Sequence, residues 1–84
     1  MENFTDREKE VLYLLLKGLN NKEISKKLFI SNHTTKAHVA SIYKKLGVTN
    51  RVQAAIKSMQ MGIEQYFDIE EIIGDFQEKF FISK

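Results

Sequence analysis

The sequence predicts an all-α chain of four short helices followed by a fifth, amphipathic one. Three observations carry that expectation. Helix start and stop residues alternate along the first 62 positions, apolar residues recur at three- and four-residue spacing, and no segment alternates as a strand bounded by turn signals. Proline is absent, so nothing interrupts these periodic segments by removing a backbone donor.

Thr5 followed by Glu8 forms a capping box, in which a hydroxyl takes one orphan N–H and the carboxylate reaches back to another. Leu12, Leu15, Leu16 and Leu19 then follow at helical spacing, and Gly18 suits a left-handed stop, which predicts a first helix over 6–17. Asn20 or Asn21 can cap the next segment, where Ile24 and Leu28 share a face, so the second helix spans about 22–28. Phe29-Ile30 reads as an apolar turn. Ser31 caps a third helix over 32–46 that Gly47 ends. Asn50 caps a fourth over 51–61 that stops at Gly62. Beyond it, Asp68 and Glu71 resemble a capping box. Ile69, Ile72, Ile73, Phe76 and Phe80 form one apolar stripe, with Gly74 weakening the helix from within. The chain therefore divides into a domain over 1–62 and an acidic, aromatic-rich extension over 63–84.

Charge separates these parts. Residues 1–62 carry eleven Lys and Arg against five Asp and Glu, whereas residues 63–84 carry two against six. Between Glu23 and Glu64 there is no acidic side chain, yet seven Lys and Arg lie there. A one-signed stretch of this length in a small domain fits a polyanion such as nucleic acid; a solvated lysine-rich helix face is the plainer alternative. Cysteine is absent, which excludes disulfides, zinc fingers and thiol redox chemistry. Neither a basic, apolar leader nor an apolar run long enough for a membrane is seen, so a cytoplasmic protein with no membrane contact is expected. The Asn-x-Thr triplets at Asn3 and Asn32 then read as chance matches to the glycosylation pattern.

The third helix is the expected reader. At 100° per residue Thr35, Val39, Ile42 and Leu46 fall on one stripe, the buried seam. The opposite face holds His33, Ala37, Ala40 and Lys44, flanked by Lys36 and Ser41. Small side chains allow the backbone to approach a major-groove floor, and lysines reach base acceptors or phosphates. A short helix, a tight turn and such a second helix make a helix-turn-helix.

These residues also resemble the LuxR-type, or GerE-like, DNA-binding domain. The resemblance is carried by Thr5-Asp6-Arg7-Glu8-Lys9-Glu10-Val11-Leu12, Asn21-Lys22-Glu23-Ile24, Leu28, Ile30-Ser31, Thr34-Thr35-Lys36-Ala37-His38, Lys45-Leu46-Gly47-Val48, Arg51 and Ala54, over roughly residues 4–62. It implies a four-helix domain that binds double-stranded promoter DNA through the third helix, dimerises through the fourth and regulates transcription, with RNA polymerase as a further contact. By the resemblance Lys36 faces the groove and Ala37 takes a position that often touches bases. Thr35 stands where the family usually has Val, and Ala40 where some members have Lys. We expect the Thr35 hydroxyl to bond back to a helix carbonyl.

Candidate DNA-binding residues are thus Asn21, Lys22, His33, Thr34, Lys36, Ala37, His38, Ala40, Ser41, Lys44 and Lys45. Asn21 and Lys22 open the second helix, where free N–H groups and the positive dipole end favour a phosphate, or where Asn21 simply caps. Thr34 serves as a cap or touches a phosphate. His38, at the edge of the seam, is either packed and hydrogen-bonded or in contact with a phosphate. His33 and His38 do not share a helix face, so no metal and no cofactor are expected. On the fourth helix Val52, Ala55, Ile56 and Met59 are expected inside. Ala54, Lys57, Ser58 and Met61 are expected to face a second copy, with Ile69, Ile72, Ile73, Phe76 and Phe80 of the extension as further candidates for a homodimer contact. The extension could instead pack on the core, or cover the basic face as an acidic mimic of DNA. An enzyme is not expected, because no paired carboxylates beside a histidine, no phosphate-binding glycine loop and no triad spacing occur. Two alternatives stand beside a transcriptional regulator: a promoter-binding domain of a sigma factor, and a protein-interaction module that keeps the helix-turn-helix as scaffold and binds its partner with the extension.

Overall fold

The computed structural model describes residues 3–62, Gln65 and Phe67. Four helices follow one another: α1 (Asp6–Leu16), α2 (Asn21–Leu28), α3 (Asn32–Leu46) and α4 (Arg51–Gln60). None of them is long and apolar enough to cross a membrane. The expected fifth helix, with Ile69, Ile72, Ile73, Phe76 and Phe80, lies outside the described residues.

Each helix starts where its cap dictates. The Thr5 hydroxyl accepts from the Glu8 N–H at 3.0 Å, and the Thr5 N–H donates to Glu8 Oε1 at 2.9 Å. Asn20, not Asn21, caps α2: its Oδ1 accepts from the Glu23 N–H at 2.8 Å and its own N–H donates to Glu23 Oε1 at 2.9 Å. Glu23 lies three residues beyond Asn20, so only Asn20 can close both arms of the box. Asn21 becomes the first helical residue. Ser31 and Asn50 cap α3 and α4 in the same way, accepting from Thr34 and Gln53.

The stops are left-handed. Gly18 has φ 99°, and the Leu19 N–H reaches back to the Leu14 carbonyl at 3.2 Å. The stop of α2 is Phe29, at φ 57°, with 93% of its surface exposed. An exposed aromatic in this conformation gains no burial and carries the steric cost of Cβ against its own carbonyl. Phe29→Gly should therefore raise the unfolding free energy by up to about 1 kcal/mol. A urea titration that finds the variant less stable would show that the Phe29 ring contributes to the fold.

Helix α1 is the centre of the bundle and touches the other three. Val11, Leu12, Leu14, Leu15 and Leu16 are all buried, a wider arc than the four-leucine stripe of the sequence reading. Leu19 is only partly buried against this core. Ile24 from α2, Val39, Ile42 and Leu46 from α3, and Ala54 from α4 close on it. Each fully buried aliphatic side chain contributes about 1.5–3 kcal/mol, so this cluster holds the helix orientations against one another. After α4 the chain returns to α1, where the Phe67 ring packs on Tyr13 with centroids 5.1 Å apart.

The face of α4 differs from the sequence expectation. Ala54 and Ser58 are fully buried, while Val52, Ile56 and Met59 are 58%, 54% and 41% exposed. Ala55 is partly buried, and Lys57 and Met61 are exposed. The reason is space. The core beneath α4 is already filled by the leucines of α1 and by Ile42 and Leu46, so the helix docks through its smallest residues, four apart, and turns its large ones outward. Ser58 Oγ finds no hydrogen-bond partner among the described residues. Size, not polarity, is what this position requires.

Candidate nucleic-acid interface

Helix α3 is oriented by its own pattern. Thr35, Val39, Ile42 and Leu46 are its buried residues. The Thr35 hydroxyl donates to the Ser31 carbonyl at 3.0 Å, so burial leaves it satisfied. The opposite side exposes His33, Thr34, Lys36, Ala37, Ala40 and Lys44, and His38 is half-buried. Ser31 is the cap of α3; its hydroxyl donates to Thr34 Oγ1 at 3.0 Å and accepts the Thr34 N–H at 3.0 Å. Thr34 therefore keeps one hydroxyl proton to offer outward.

Ser41 and Lys45, expected at the groove, are here bonded to Glu8 of α1. The Ser41 hydroxyl donates to Glu8 Oε2 at 2.6 Å, and Lys45 Nζ meets Glu8 Oε1 at 2.6 Å. The same ammonium donates to the Asn3 carbonyl at 2.8 Å and lies 5.5 Å from the centre of the Phe4 ring. Burial alone would push the Glu8 carboxyl up. The hydrogen bonds from Lys45, Ser41 and the Thr5 N–H, together with the Lys45 charge, outweigh it and hold the group at about 2. Glu8 thus caps α1 and ties it to α3 with one ionised side chain.

A second tie joins α4 to α1. Arg51, the first residue of α4, donates from Nη1 to the Leu15 carbonyl at 3.1 Å. A cation at a helix N-terminus opposes the dipole of its own helix. Here the guanidinium reaches the carbonyl end of α1, where a positive charge is favoured. Burial lowers its pKa below the usual arginine value, opposed by Tyr43 and Glu23. Burial also raises the Tyr43 phenol, with Arg51 pulling the other way.

Between the start of α2, the flank of α3 and Arg51 lies an open cleft of about 570 Å³ lined by Asn20, Asn21, Lys22, Asn32, Lys36, Val39, Tyr43 and Arg51. Three cations from three helices line it, and no carboxylate does. It brings the expected pair Asn21 and Lys22 beside Lys36. His33, Ala40 and Lys44 are not among its walls. Asn32, Tyr43 and Arg51 escaped the sequence reading as site residues. The misfit of an arginine with its own helix dipole was the one local signal for Arg51.

The chain matches the model of the family described as "Bacterial regulatory proteins, luxR family" over residues 2–58. It is 50% identical over 64 residues to the transcriptional regulatory protein LnrK of Bacillus subtilis (strain 168), covering 76% of this chain and 29% of that protein. It is 47% identical over 55 residues to the transcriptional regulatory protein LiaR of the same organism, covering 66% and 26%. With the CsgBAC operon transcriptional regulatory protein of Escherichia coli (strain K12) it shares 50% identity over 50 residues, 60% of this chain and 23% of that protein. The chain spans less than a third of the length of these relatives. Four capped helices around a leucine-rich α1, an α3 with a small and cationic outer face, and a match over residues 2–58 lead to one conclusion: the chain belongs to the luxR family of bacterial regulatory proteins.

Proposed function

We propose that residues 1–62 form a sequence-specific double-stranded DNA-binding module of a transcriptional regulator, acting in the bacterial cytoplasm and reading the major groove with α3. One observation carries this reading: the exposed side of α3 combines Lys36 and Lys44 with Ala37 and Ala40, opposite the buried seam of Thr35, Val39, Ile42 and Leu46. Alanines permit close approach to base edges, and the lysines meet phosphates or base acceptors. Asn21, Lys22, His33, Thr34 and His38 flank this face as further contacts. Ser41 and Lys45 are left out, because Glu8 holds them. Selection from a pool of randomised duplexes tests the reading. A recovered motif supports it, and affinity should fall steeply with salt because cations displaced from the duplex are released. Recovery of no motif at low salt overturns it.

The reading extends to a homodimer through α4, with the contact surface moved from the sequence expectation. Ala54 and Ser58 are enclosed, so the outward stripe is Val52, Ile56 and Met59, at i, i+4 and i+7, beside Lys57 and Met61. A second copy is the occupant proposed for this stripe, since pairing two such helices would set two α3 helices on half-sites about one helical turn apart. Ile56→Glu changes an exposed position and should leave the helical content intact while weakening binding to a full site at least about tenfold, with half-site affinity unchanged. Sedimentation should show a monomer. An Ile56→Glu chain that still binds the full site as tightly as the original removes α4 as the dimer contact.

A further inference from the structure

The outer face of α1 carries a contact that neither DNA reading nor pairing through α4 uses. Gly62 turns the chain at φ 80° after α4, and the Phe67 ring then packs on Tyr13 with centroids 5.1 Å apart and planes tilted by 51°. Tilted ring pairs are favoured beyond the area they bury. Helix α1 meets the core and α3 through Glu8, Leu12 and Leu15. At about 100° per residue, Lys9, Tyr13 and Lys17 point away from that side. All three are half-buried, and the Lys17 ammonium stands 5.0 Å from the centre of the Tyr13 ring. A lysine thus lies one turn before Tyr13 and one turn after it, and the stems of both extend the apolar surface of the ring. Of the acids on this face, Glu10 is paired with Arg7 at 3.1 Å, and Asp6 stands at the N-terminal end.

We propose that this face of α1 is the docking surface for the chain's own extension, residues 68–84, with Phe67 as the anchor. The occupant follows from continuity and charge. Residues 68–84 come directly after Phe67, and they hold five Asp and Glu against two Lys. Their residues Ile69, Ile72, Ile73 and Phe76 recur at helical spacing over about 10 Å, and Lys9 to Lys17 span about 12 Å of α1. The apolar stripe then covers Tyr13 and the lysine stems, and Asp68, Glu70 and Glu71 meet the two ammonium groups. The other exposed faces fit the extension less well. On α4, the positions one turn either side of Ile56 are Val52 and Gln60, so no lysine brackets the apolar stripe. The exposed side of α3 offers no large apolar side chain to receive one. Docking on α1 leaves α4 to a second copy and α3 to a duplex. It also sets the acidic extension on the side of α1 turned away from α3, a charge separation that orients α3 toward an approaching polyanion. The docking itself depends on neither of those readings.

The test is acetylation of lysine amines in the full chain, with the rate at each lysine followed by mass spectrometry. Phe67→Ser keeps Tyr13 and should raise the rates at Lys9 and Lys17 at least about fivefold, because the covering segment is released. Lys26, Lys27 and Lys57 should keep their rates and serve as references. A second variant combines Asp68→Asn, Glu70→Gln and Glu71→Gln, which leaves every described residue in place, so the test stands even if Phe67→Ser disturbs the fold. It should raise the same two rates at least about twofold at low salt, and its difference from the original chain should fade in high salt. Rates that rise at Lys36 and Lys44 instead would place the extension over α3 and overturn the proposal. Release at Lys57 that depends on protein concentration would make the extension a contact with a second copy, which also overturns it. Unchanged rates at Lys9 and Lys17 in both variants would show that nothing beyond Phe67 covers α1.

Discussion

Glu8→Gln should lower the unfolding free energy at neutral pH by about 2–4 kcal/mol, because it leaves the Lys45 ammonium without its counter-charge and weakens the Ser41 and Thr5 bonds. For a domain whose whole stability is on the order of 5–15 kcal/mol, that is a large fraction. The pH dependence separates charge from packing. The folded carboxyl titrates at about 2 against an ordinary 4.5, so the folded state favours the ionised form. A depressed carboxyl contributes stability that is fully present above pH 4.5 and is lost as pH falls through the window down to about 2. The difference between the original chain and Glu8→Gln should therefore shrink toward acid. Urea denaturation at several pH values between 2 and 7 measures it. Parallel stability curves across that window would mean that Glu8 contributes shape and not charge.

Lys36→Ala is expected to act on binding and spare the fold. Lys36 is exposed on α3 and lines the cleft, so its loss should change stability by no more than about 0.5 kcal/mol. Specific affinity should fall by about 1–3 kcal/mol, and preference at the bases it faces should relax. If Lys36 serves a phosphate instead, the loss is similar on every duplex and the slope of affinity against salt falls by about one ion. Fluorescence anisotropy on the selected duplex and a scrambled one, at three salt concentrations, distinguishes the two outcomes. Unchanged specific affinity would show that α3 is docked with a different face toward the DNA.

Much of this was legible in adjacent residues. Thr5 and Glu8, Ser31 and Thr34, Asn50 and Gln53 are three apart, so their capping geometry is readable from spacing alone. The seam of α3 was equally plain, since Thr35, Val39, Ile42 and Leu46 repeat at one helical period. The face of α4 was not. Periodicity distinguishes large apolar residues from small or polar ones, but it cannot say that the space left by α1 admits only Ala54 and Ser58. The pairing of Ser41 and Lys45 with Glu8 was not legible for a related cause: on a helical wheel both border the cationic side, and nothing local shows that a carboxylate waits there.

The helices, their ends, the inward edge of α3 and the absence of acid between Glu23 and Glu64 belong to the sequence by itself, because each depends on neighbours a few residues apart. Tertiary structure alone decided the partners of Glu8, the reach of Arg51, the outward stripe of α4 and the cleft. The bonds involved join residues 33, 36 and 37 positions apart. Such contacts exist only after packing has chosen which side chains share a volume, and that choice is made by the space between helices, which no single helix encodes.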